Sequence, residues 1–208
     1  IEDADDYYFP PVTGTYLRLT RMAINILAVV LTPLFLLLIN NPQYIPDGLK
    51  FIQITDPINV PIYLQLLLLE FAIDGLRMAS LNTPNMLSMP LSVIAGIVLG
   101  DYTVSSGWFN SEVMLYMAFV AVANYTQVSF ELGYALKFMR LITLTLTALF
   151  GIYGFIGGLL LTLVCIICNK TISGKSYIYP ILPFNSKQFL RRFCRVSLPS
   201  SEKVKKRN

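Results

Sequence analysis

Three ionisable residues inside an otherwise apolar stretch, Glu70, Asp74 and Arg77, are where this sequence concentrates groups able to do chemistry. At about 100° per residue of α-helix, their i, i+4, i+7 spacing puts them on one face within about 60°, with Tyr63 on the same stripe. An ionised side chain deep in a bilayer costs at least about 2.5–3.5 kcal/mol, so three on one stripe must face protein, water or one another. Two roles fit. Either a local Asp74–Arg77 pair holds two helices together, or the stripe walls an aqueous path in which a ring of carboxylates in an oligomer attracts cations. A second set, Asn124, Gln127 and Glu131, is spaced i, i+3 and i+7 and shares a face if the helix continues through it. These residues form either the other wall of such a path or a set of interhelical hydrogen bonds, at about 0.6 kcal/mol each in a membrane.

Other chemistries lose their reagents. The 208 residues contain no histidine, which removes the usual general base near neutral pH and the usual metal ligand. No catalytic residue, metal site or cofactor is assigned, and the sequence reads as a non-enzyme. Asp74 and Asp101 lack the flanking motifs of an intramembrane aspartyl protease. Cys165 and Cys168 form a CxxC inside an apolar run, without the polarising neighbours that redox or metal thiols need, and are expected to pack as reduced thiols. Cys194 lies in a basic tail, so no disulfide framework is implied.

The elements that must carry these residues follow from composition. The chain is 55% apolar and only 13% charged, whereas a soluble domain averages roughly 45–50% and about 25%. The apolar residues fall in long uncharged runs, so the solvent for most of the chain is lipid. Residues 22–39 are a first crossing, with Pro33 expected to kink the helix by withholding an N–H from the turn before it. Residues 141–168 are 28 without a charge, too long for one upright crossing and too short for two, and form one long or broken helix. Within it, Gly151, Gly154, Gly157 and Gly158 serve helix packing or a hinge, and Gly154-xxx-Gly158 has the spacing that lets two helices approach closely. Residues 113–130, 86–100 and 61–80 are weaker candidates, and 86–100 is short enough to be re-entrant or tilted. The fold class is all-α, a polytopic helical membrane protein with about four to five membrane-embedded helices.

Charge sets the orientation. Ten of the 16 Lys and Arg follow Asn169, against the single acid Glu202, which places residues 169–208 on the cytoplasmic side. Arg18 and Arg21 argue the same for residues 1–21, so residues 22–168 should cross an even number of times. Lys137 and Arg140 sit against that orientation. Ile1 is not Met and no cleavable leader follows it, so the start reads as a cut with something upstream, and residues 1–21 as a cytoplasmic connector. In the tail, Phe189, Leu190 and Phe193 interleave with Lys187, Arg191, Arg192 and Arg195, the composition of a helix lying on an anionic leaflet. Lipid is therefore the expected partner of those charges, and nucleic acid is not.

The polar constellations also resemble a known family. Glu70-xxx-Asp74-xx-Arg77 with Pro84, then Gly100 and Gly107, then Phe130-Glu131-Leu132-Gly133-Tyr134-Ala135 with Lys137 and Arg140, is similar to the GerA spore germination family from Asp6-Tyr7-Tyr8 to Pro183-Phe184. Phe109-Asn110-Ser111-Glu112-Val113 and Tyr179-Pro180-Ile181-Leu182-Pro183-Phe184-Asn185 look most like its stage V sporulation protein AF branch, with the nutrient-receptor A subunits as the near alternative. Two positions depart from the pattern. Val128 stands where the family often has a proline, and Asp74 stands where it often has the longer Glu. The resemblance implies a multi-pass protein of the endospore inner membrane, preceded by a large soluble domain to which residues 1–21 would connect, that homo-oligomerises into an ion-conducting assembly and works with a transporter-like B subunit and a lipoprotein C subunit. The rival expectations are a non-conducting structural or signal-relay subunit and a secondary transporter. The transporter predicts an internal repeat, and the two halves show no such symmetry.

One expectation needs only the tail. Replacing Arg191, Arg192 and Arg195 by Gln should weaken binding of a tail peptide to anionic vesicles by about 1 kcal/mol per charge at low salt and leave neutral vesicles unaffected. Vesicle co-sedimentation measures it, and equal binding to both vesicle types would leave only the apolar residues as anchor.

Overall fold

The computed structural model describes residues 9–82, 93, 96–127 and 130–168. Arg191, Arg192, Arg195, Cys194 and the surface helix expected around them lie outside the described residues, as do residues 1–8 and most of the first half of the 86–100 segment. The described structure is helical and contains no strand, in keeping with the all-α expectation. Four helices have 15 residues or more: α1 (Pro11–Asn40), α2 (Ile62–Asn82), α3 (Ser111–Tyr125) and α4 (Phe130–Cys168). Shorter pieces are 3₁₀ turns at Pro42–Tyr44 and Asp47–Ile52, a π turn at Val98–Tyr102 and a single turn at Thr103–Ser105. α1 and residues 131–168 of α4 are long and apolar enough to cross a membrane, whereas α2 carries three charges and α3 has only 15 residues. A count of four to five membrane helices is thus an expectation that the described helices meet only in part.

The chain divides into two compact units, one of residues 1–24 with 162–208 and one of residues 25–161. In the described part of the first, Pro11 opens α1 at a position where its missing N–H is no loss, and Arg18 and Thr162 are buried. Cys165 and Cys168 are free and exposed there, so their side chains are not the packed thiols the sequence suggested.

The second unit is a bundle with one apolar core. Phe35 and Leu36 of α1, Ile62, Leu66 and Leu69 of α2, Val113 and Met117 of α3 and Leu144 of α4 meet in it, and the Phe35 and Tyr116 rings lie 4.3 Å apart. In lipid such a core gains little from the hydrophobic effect, so close van der Waals packing and interhelical polar contacts have to hold it. Outside the core the helices present bare apolar faces: Phe71 is 74% exposed and Leu115 65%. α1 continues through Pro33 as a single helix. At the other end, Asn110 caps α3 in extended backbone, but its side chain is turned to α2. There the Gln65 amide donates to Asn110 Oδ1 at 2.9 Å and its carbonyl accepts the Asn110 N–H at 2.9 Å. That reciprocal pair ties the start of α3 to the start of α2, so the two helices run the same way.

α4 is broken at Gly151, whose φ of 59° and ψ of −131° only glycine adopts without strain. The chain then turns back on itself. A Cβ on Gly154 would overlap the Leu146 carbonyl oxygen, and one on Gly158 would lie 2.8 Å from Thr143 Cα. The pairs 146/154 and 143/158 mark an antiparallel hairpin, so the small-xxx-small spacing brings together two arms of one helix. The run that looked too short for two crossings gains a full arm because the helix starts at Phe130, eleven residues before the charge-free stretch.

Glycine substitutions discriminate this hairpin from a continuous helix. Gly154→Ala and Gly158→Ala should lower the thermal unfolding temperature in detergent sharply, since backbone lies where the methyl must go. Gly157→Ala, with nothing within 4 Å of its Cβ, should be neutral or raise stability by up to about 1 kcal/mol. Equal effects at all three positions would contradict the reversal.

Candidate functional site

Helix geometry brings the ionisable stripe of α2 against two basic residues of α4. Glu70 and Asp74 are one turn apart on α2, Lys137 and Arg140 are one turn apart on α4, and the two helices run antiparallel, so acid meets base twice. Arg140 Nε donates to Glu70 Oε1 at 2.7 Å, and Nη2 lies 2.6 Å from the same oxygen as an ion contact without a hydrogen-bond acceptor of its own. Arg140 Nη1 reaches across to the Ala28 carbonyl of α1 at 3.0 Å. Lys137 Nζ pairs with Asp74 Oδ2 and lies 3.6 Å from Glu70 Oε2 and 3.5 Å from the Glu70 carbonyl oxygen. Arg140, Glu70 and Lys137 are buried, at 0%, 3% and 6% exposure. Two negative and two positive side chains thus sit together with no formal net charge among the four.

The expected Asp74–Arg77 pairing gives way to Asp74–Lys137. Arg77 instead lies over the rings of Tyr125 and Tyr134, 5.8 and 5.4 Å from their centroids. The reason is reach: the i+3 partner on the same helix competes with a lysine delivered directly opposite by α4. Tyr63, on the same stripe, shares a 3.2 Å hydrogen bond with Thr145 of α4. The α2–α4 contact therefore grades from a hydroxyl pair through a fully buried ion pair to a partly open one, since the Asp74 side chain is 27% exposed.

The second polar set is divided between elements. α3 ends at Tyr125, with Thr126 Oγ1 donating back to the Ala123 carbonyl at 2.8 Å, and α4 opens at Phe130, so the break comes without a proline at Val128. Asn124, Gln127 and Glu131 therefore do not share one helical face. Asn124 joins Asp74, Arg77, Tyr125, Tyr134 and Lys137 around a small cleft, and its Oδ1 is buried without a hydrogen-bond partner. Gln127 donates to Asn25 Oδ1 of α1, and Glu131 is exposed in the first turn of α4. Among the described residues no cluster of acids and cysteines is arranged to hold a metal ion. Lys137 and Arg140, which sequence reasoning used as orientation charges and as part of the family pattern but not as site residues, complete the site. The available signal was their one-turn spacing, which mirrors that of Glu70 and Asp74.

Comparison with known proteins covers nearly the whole chain. The family model described as Bacillus/Clostridium GerA spore germination protein matches residues 1–207. Stage V sporulation protein AF of Bacillus subtilis is 32% identical over 97% of the chain and 41% of its own length. Spore germination protein GerLA of Bacillus cereus is 26% identical over 94% of the chain and 40% of its length. Spore germination protein A1 of Bacillus subtilis is 26% identical over 75% of the chain and 33% of its length. The chain thus spans about two fifths of the first two of these relatives. No solved structure matches it.

The ion network ranks its own substitutions. Glu70→Gln strands Arg140 in the core and should cost about 3–5 kcal/mol, with a fall in protein level. Asp74→Asn should cost less, because Asp74 is partly open and Lys137 keeps the Glu70 carboxylate and carbonyl. Thermal unfolding in detergent measures both. A larger loss for Asp74→Asn would place the main anchor elsewhere.

Proposed function

The chain belongs to the Bacillus/Clostridium GerA spore germination family, and from that premise we propose that it is the membrane domain of a spore germination complex subunit, oligomerising to form or gate an ion-conducting path in the endospore inner membrane. The observation that carries this is the four-residue charge cluster. Charges inside a membrane bundle are costly, and one ion pair, Glu70 with Arg140, already ties α2 to α4, so the second, partly open pair favours a role beyond bracing. The cluster also opens on one side, through Asp74, into the cleft with Arg77 and Asn124. Asp74 is the one acid among the residues lining that cleft, against Arg77 and Lys137, so when several copies place it around one axis its carboxylate offsets the two bases and sets how readily cations enter. Balanced charge favours a second reading for the closed half: Glu70 and Arg140 neutralise each other, as in a non-conducting relay that transmits movement between helices.

The proposed membrane topology rests on helix direction. α1 and the first arm of α4 run one way and α2 and α3 the other, and the proposed topology adds one crossing between α2 and α3. With the two arms of α4 this makes six crossings, an even number that leaves both basic ends cytoplasmic. Lys137 and Arg140 do not oppose that orientation, because charges buried in ion pairs are not loop charges. B-type and C-type subunits are proposed partners by resemblance to the receptor systems of the family.

Two measurements test the proposal. In a background without native cysteines, a cysteine at Thr55 should react with an impermeant reagent from the outer face and one at Ser200 should not; the reverse would invert the topology. Reconstituted full-length protein should pass monovalent cations, and Asp74→Asn should lower that flux several-fold per assembled protein. Flux no greater than from protein-free vesicles would reject conduction and leave the relay.

A further inference from the structure

A cleft of about 560 Å³ lies beside the ion cluster, between the end of α1, the start of α2 and the first arm of α4. Its walls are Ile39, Ile58, Pro61, Ile62, Ala148 and Leu149, and Asn40 stands exposed at its rim. No lining residue is charged. Two hydroxyls, those of Tyr63 and Thr145, reach this wall, and their protons are engaged. Thr145 Oγ1 donates to the Leu141 carbonyl at 2.8 Å, which leaves Tyr63 to donate in the 3.2 Å contact between the two hydroxyls. The wall therefore offers neither a counter-charge nor a hydroxyl proton to a carboxylate, a phosphate or a zwitterion.

We infer that this cleft holds one acyl chain of a membrane phospholipid, with the Asn40 amide at the rim beside the ester linkage. Three observations favour that occupant. The volume falls within the range of sites that enclose a small ligand. Two of its three walls, α1 and α4, are the helices long and apolar enough to cross a membrane, and Leu149 turns 70% of its surface outward beside the cleft. Asn40 and Asn41 follow the apolar run of α1, which sets the cleft at the level where hydrocarbon gives way to polar groups. An apolar hollow left empty there would deprive its walls of van der Waals partners, and water gains nothing from entering it. The chain then seats its own lipid at the end of the α2–α4 contact opposite the open side of the ion cluster.

The test uses full-length protein and a phosphatidylglycerol carrying a photoactivatable group on one acyl chain. Labelling should saturate with lipid at peptides spanning 58–63 and 145–149, while labelling of the exposed α3 face around Leu115 and Phe119 should rise without saturation. Ala148→Phe, which fills the cleft, should reduce the saturable labelling about tenfold; should that variant fold poorly, Ile58→Trp fills the outer end from an exposed position. Non-saturable labelling at the cleft, or saturable labelling that survives filling in a folded variant, would overturn the inference. So would crosslinks from the cleft to a second copy of the chain in place of lipid. None of these outcomes depends on whether the assembly conducts ions.

Discussion

The Arg140 guanidinium, fully buried and shared among three helices, is the constraint on which the rest of the bundle depends. It contacts the Glu70 carboxylate of α2 and the Ala28 carbonyl of α1 from a position on α4. A guanidinium cannot shed its charge at any ordinary pH and is costly to place in hydrocarbon, so its partners have to be present and in register. Shape alone does not fix register between apolar helices in lipid nearly so strictly, because a slid helix exchanges one set of methyl contacts for another. Sliding α4 by one turn against α2 would leave Arg140 without Glu70.

From that anchor the other features follow in order. Antiparallel register sets Lys137 on Asp74 and Thr145 on Tyr63, which defines the cleft above and the polar opening below. It also absorbs the two basic residues that conflict with the orientation of the tail. Once α4 begins at Phe130 and its charges are internal, the helix has length for two arms, and Gly151, Gly154 and Gly158 allow the second to fold tightly against the first. The hairpin and the proposed parity of crossings thus both rest on the same ion pairs.

Much of this was legible in the sequence, and the remainder was hidden for physical reasons. The stripe of Glu70, Asp74 and Arg77 follows from helical periodicity, and the close-approach glycines from spacing. Periodicity places residues on a face but does not say what lies opposite. Asp74 therefore looked to Arg77, three residues away, when its partner is 63 residues away on α4. The break between α3 and α4 had no proline to announce it, and local backbone choices at Thr126 and Gln127 decided it. Gly151 differs from Gly157 only in its backbone angles, which no composition reveals. Gln65 was invisible for another reason: a single amide in an apolar helix becomes meaningful only when the start of α3 arrives beside it.

The central claim is that Glu70 and Arg140 act as one unit. A double-mutant cycle of Glu70→Leu, Arg140→Leu and the pair, read by unfolding free energy in detergent with circular dichroism confirming the fold, tests it most directly. The ion pair predicts strong non-additivity, with the double variant more stable than either single one and a coupling energy near the upper end of the range of about 0.5–3 kcal/mol seen for contacting residues. Additive losses within about 0.5 kcal/mol would contradict the claim and leave α2 and α4 held by packing alone.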